Sequence, residues 1–72
     1  MYAIEIGPIN NNPQTHYKVF FGKDASVDQI LAHLQKKAQF REDLGLTTED
    51  NTKKIMLEAS TKLGNLSHAT SV

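Results

Sequence analysis

The sequence predicts a small α+β domain, an N-terminal antiparallel β-hairpin followed by two helices (ββαα). Three observations predict it: two short alternating apolar runs near the N-terminus, one amphipathic helix with both ends marked, and a second segment of helical periodicity. At 72 residues the chain has room for one domain. Residues 1–64 make up that domain, and the small, polar stretch 65–72 is expected to form a flexible tail.

In residues 2–6, Tyr2, Ile4 and Ile6 point one way and Ala3 and Glu5 the other. In residues 17–21, Tyr17, Val19 and Phe21 oppose Lys18 and Phe20. Both runs are rich in aromatic and β-branched residues and read as half-buried strands. The intervening Gly7-Pro8-Ile9-Asn10-Asn11-Asn12-Pro13-Gln14-Thr15-His16 holds two prolines and three asparagines, so it is a loop, longer than an ordinary hairpin connection. It is also too short for a parallel crossover, which makes the pair antiparallel.

Ser26 and Gln29 have the S-x-x-Q spacing of a capping box. Val27, Ile30, Leu31, Leu34 and Ala38 follow at helical spacing, and Gly45 stands where a left-handed C-terminal cap costs least. This first helix is expected to cover the inward face of the hairpin. Thr47 and Asp50 mark a second helix start, Lys62 and Gly64 its end, and Thr52, Ile55, Met56, Ala59 and Leu63 share one face. Leu57 falls off that face. A strand reading, with Ile55, Leu57 and Ala59 alternating against Met56, Glu58 and Ser60, gives ββαβ as the alternative.

Eight basic residues balance eight acidic ones and there is no cysteine. Disulfides and thiolate metal sites are thereby excluded, and the long-range field of a dedicated nucleic-acid or membrane binder is missing. No apolar run is long enough to span a bilayer. The N-terminal Met-Tyr-Ala-Ile-Glu-Ile has no basic region leading into an apolar stretch, so the expected compartment is the cytosol.

His16, His33 and His68 sit in a loop, a helix and the tail without a ligand pair, so no metal or cofactor is expected. The serines lack a nucleophile-elbow setting, and a chain this short has little room for a pocket, so no enzymatic activity is expected. The turn Leu44-Gly45-Leu46 does not match the helix-turn-helix DNA-binding pattern. That pattern needs a small residue four positions before the glycine and an apolar one six after, where this chain has Arg41 and Asn51.

Binding is the remaining class. Phe20 points away from the expected core, and a two-stranded sheet leaves both edges open, so association through the hairpin edge and Phe20 is expected, with a homodimer as its simplest form. The long loop, with Asn10, Asn11, Asn12 and His16, is the first candidate for contact with a protein partner, or else an entropic spacer. Modules of this size commonly serve as regulators, inhibitors or accessory factors, including in phages.

Nucleic-acid binding is the alternative. His33, Lys36, Lys37 and Arg41 share a flank of the first helix with Phe40, and basic residues around an aromatic can track phosphates while stacking a base. The plainer reading of that flank packs Phe40 and Leu44 beneath the second helix and leaves the lysines solvated.

Overall fold

The computed structural model describes the backbone of residues 1–70 and the side chains of residues 1–66. Strands Tyr2–Ile6 (β1) and Tyr17–Phe21 (β2) pair antiparallel, Tyr2 opposite Phe21 and Ile6 opposite Tyr17. Helices Val27–Asp43 (α1) and Glu49–Thr70 (α2) complete the expected ββαα order. Residues 55–60 lie inside α2, which removes the ββαβ alternative.

The hairpin follows its alternation. Ile4, Ile6 and Tyr17 are buried, while Ala3, Glu5, Lys18 and Phe20 face outward and are exposed. Tyr2 and Phe21, opposite each other in register, stack with ring centroids 5.7 Å apart.

Both marked ends of α1 hold. The Gln29 N–H donates to Ser26 Oγ at 3.1 Å and the Ser26 N–H to Gln29 Oε1 at 3.4 Å. At the other end Gly45 has φ 76°, its N–H donates to the Glu42 carbonyl at 2.9 Å, and the Leu46 N–H donates to the Arg41 carbonyl at 2.9 Å. These two bonds make a Schellman motif.

Helix α2 departs from expectation at each end. Its cap is Thr48, whose hydroxyl accepts from the Asn51 N–H at 3.2 Å, not Thr47. The Schellman turn uses Leu46 as its closing residue, so Thr47 still lies in the turn, and its hydroxyl accepts from the Asn51 side chain instead. The helix does not stop at Gly64 but runs on to Thr70. Gly64 has no positive φ, and the half-buried Leu66 beyond it packs against the core, which favours continuing the helix. Residues 65–70 of the expected tail therefore have helical backbone, and residues 71–72 lie outside the described residues.

The larger correction concerns what covers the hairpin. The helix lying on β1 is α2, and α1 packs chiefly on α2. The Gly7 N–H meets the Glu58 carboxylate at 3.3 Å, Lys62 pairs with Glu58 at 3.2 Å, and the Lys62 ammonium donates to the Glu5 carbonyl. Residues 55–58 thus stand beside Gly7 and Lys62 beside Glu5, so α2 runs antiparallel to β1. The reason lies in the α2 stripe: Ile55, Ala59 and Leu63 are each at most 2 % exposed, and the small Ala59 permits close approach to a neighbour.

The buried stripe of α1 is only Ile30, Leu34 and Ala38. Phe40 sits about 200° around the helix from Ala38 at roughly 100° per residue. Phe40 and Leu44 are accordingly 63 % and 58 % exposed rather than packed beneath α2.

The loop from Gly7 to His16 is built, and is no spacer. Asn10 and Asn11 have φ 52° and 59°, a left-handed pair that asparagine tolerates better than most residues, and they close a bridge between Ile9 and Asn12. The Asn12 carboxamide caps the 3-10 turn Pro13–Thr15 by accepting from the Gln14 N–H at 3.0 Å. Thr15 is 1 % exposed; its hydroxyl accepts from the Ile9 N–H at 2.6 Å and donates to the Asn12 carbonyl at 2.6 Å.

Two substitutions test this construction in urea unfolding followed by far-UV circular dichroism. Thr15→Val leaves the Ile9 N–H without a partner and should cost about 1–3 kcal/mol. A Cβ at Gly7 would stand 2.0 Å from the Thr15 carbonyl oxygen at φ 76°. Gly7→Ala should therefore cost roughly 2–4 kcal/mol, whereas Gly64→Ala, in open helix, should stabilise by about 0.5–1 kcal/mol.

Candidate partner-binding groove

With α2 on β1 and α1 on α2, β2 overhangs α1, and a groove of about 760 Å³ opens between them. Its floor is apolar, formed by the buried Ile30 and the half-buried Val19 and Phe21. Its margins carry the exposed Lys18 and Phe20 from β2 and Gln29, His33 and Lys37 from α1. Among the described residues no carboxylate lines it. Phe20 is 60 % exposed, and the Lys18 ammonium lies 5.7 Å from the centre of its ring. Among the described residues the sheet has two strands, and none of them pairs with the far edge of β2 that borders the groove.

The groove joins residues that the sequence suggests for different tasks. Phe20, from the association set, shares it with His33 and Lys37 from the basic flank. The rest of that flank disperses. Lys36 lies on a neighbouring face with Gln35 and Gln39, and Phe40 stands exposed beyond it.

Arg41 turns inward: its guanidinium sits 4.3 Å from the centre of the Tyr17 ring and donates to the Gln14 carbonyl at 3.1 Å. It fastens the loop to α1 and is not part of a continuous cationic track.

The loop candidates fall outside the groove. Asn10 and Asn11 form the exposed tip of their turn, and the Asn12 side chain donates to the Leu46 carbonyl at 3.2 Å, joining the loop to the turn between the helices. His16 lies 3.5 Å from Glu5 on the outer face of the hairpin. Lys18 and Gln29 line the groove without being among the site residues expected from the sequence. The alternation that exposes Phe20 also exposes Lys18, so that signal was present; Gln29 was hidden behind its capping role.

Among the described residues no group of three or more His, Cys, Asp or Glu side chains converges as a metal site. The side chain of His68 lies outside the described residues. No described helix is long and apolar enough to cross a membrane. Comparison with protein-family models, curated proteins and solved structures finds no match.

The division of the basic flank is testable. Arg41→Gln loses a cation–π contact and a hydrogen bond and should lower the free energy of unfolding by about 1–2 kcal/mol. Lys37→Gln, an exposed change, should stay within about 0.5 kcal/mol of the parent in the same denaturation series.

Proposed function

We propose that this chain is a small non-enzymatic binding protein, a regulator or accessory factor that takes an extended segment of a protein partner along the free edge of β2. The observation carrying this reading is Phe20, 60 % exposed on an unpaired strand edge beside an apolar-floored groove. Strand addition uses such an edge: main-chain hydrogen bonds supply affinity, and the flanking groove selects side chains. Among the described residues the groove's titratable groups are two lysines and a histidine, with no hydroxyl or carboxylate lining it to pair as nucleophile and base.

A second copy of the chain is the second reading for the edge, and the alternation of Lys18 and Phe20 favours it. Antiparallel pairing of two β2 strands about Val19 sets Lys18 of one copy opposite Phe20 of the other, which avoids like-charge contact.

Phe20→Ser, with sedimentation equilibrium and partner binding measured side by side, tests both uses of the edge. Loss of partner binding with a monomeric parent is the expected result. A parent mass near twice 8.0 kDa that Phe20→Ser halves would make the second copy the occupant. Unchanged partner binding in a folded Phe20→Ser variant would remove the edge from the function.

A further inference from the structure

Resting on that reading of the β2 edge, we infer that the segment it accepts is acidic: an extended peptide carrying Asp or Glu together with at least one apolar anchor. A strand added beside β2 has two faces, and cations wait on both. Its outward side chains lie next to Lys18 and Phe20, and its inward ones look toward α1, where His33 and Lys37 stand at the groove margin. Among the described residues no carboxylate lines the groove, and Glu5 stands opposite Lys18 in register on the outer face of the hairpin. The complementarity is local, since the whole chain has formal net charge zero.

Spacing along α1 sharpens the inference. Ile30, in the floor, and Lys37, at the margin, are seven residues apart, or about 10 Å at 1.5 Å per helical residue. A strand advances about 3.3 Å per residue, and only alternate residues face the helix. An inward apolar residue over Ile30 thus puts the inward residue two or four positions away near Lys37. The recognised pattern is an apolar residue with Asp or Glu two or four positions from it on the same face, and further acidic residues at outward positions beside Lys18.

Nucleic acid is the competing occupant, because lysines beside an aromatic also suit phosphates and bases. The strand edge favours a peptide: its free main-chain donors and acceptors match another extended backbone and have no counterpart in a polynucleotide. The removal of Arg41 from the basic flank further shortens any phosphate track.

The test is selection from a random seven-residue peptide library on the immobilised full-length protein, followed by binding of a selected peptide in solution and competition by single-stranded oligothymidine. Selected sequences should be enriched in Asp and Glu at the spacing given. The double variant Lys18→Glu, Lys37→Glu, its fold checked by circular dichroism, should weaken the selected peptide by at least about tenfold and shift a repeated selection toward Lys and Arg. Neutral or basic peptides bound equally well at a Phe20-dependent site would overturn the acidity while leaving strand addition standing. If no peptide is enriched over the bare support, both fail. Displacement of the selected peptide by oligothymidine at a lower concentration than by the peptide itself would overturn the proposal in favour of nucleic acid.

Discussion

One face of one helix organises this molecule. A two-stranded hairpin cannot stand alone in water, because it has no second layer against which to bury its apolar side. Here that layer is the stripe Thr52, Ile55, Ala59 and Leu63 of α2, which is buried almost completely. The same helix must also receive Ile30, Leu34 and Ala38 of α1, so it serves two neighbours at once. A helix shared in this way cannot sit centrally under both strands. It lies along β1, and the groove under β2 is the geometric remainder of that arrangement.

Polar contacts then fix what the apolar stripe leaves loose. Glu58 holds the Gly7 N–H, Thr15 bridges Ile9 and Asn12 inside the loop, Asn12 reaches the Leu46 carbonyl, and Arg41 reaches the Gln14 carbonyl. Each bond ties the loop between the strands to a helix, to the turn between the helices or to itself, so a ten-residue connection behaves as a part of the fold. A small domain with no disulfide gains much from such ties, because each removes a main-chain group that would otherwise have to reach water.

The residues that sequence reasoning located best were those whose signal is local. The capping box at Ser26 and Gln29, the left-handed glycine at position 45 and the strand alternations depend on neighbours within four residues, and they appear as read. What failed depended on packing. Helical periodicity places Ile30, Leu34 and Ala38 on one face, yet nothing in it says whether that face meets a sheet or another helix. For the same reason the sequence suggests packing Phe40 and Leu44 beneath α2, whereas both stand exposed away from the buried stripe of α1. Arg41 and Asn12 resemble binding residues by type, and only the three-dimensional contacts reveal that the fold uses them. The groove was legible only in its β2 half: Phe20 announces itself by alternation, whereas the approach of His33 and Lys37 follows from helix placement.

That placement bears on how a bare strand edge remains selective. An unpaired edge is an aggregation hazard, and a charged side chain on it is a common protection. Lys18 supplies such a charge on β2, and Lys37 supplies a second from α1. Against an arbitrary apolar strand these ammonium groups oppose pairing, since docking would strip water from them without compensation. Against a strand bearing carboxylates the same desolvation would be offset by ion pairing. On the proposed reading the two lysines therefore act in opposite directions on wrong and right partners. Selectivity of that kind arises from the difference between two binding free energies and does not need a large interface. On the proposed reading, five strand residues and one exposed aromatic offer too little surface for strong indiscriminate adhesion, and charge would choose the partner.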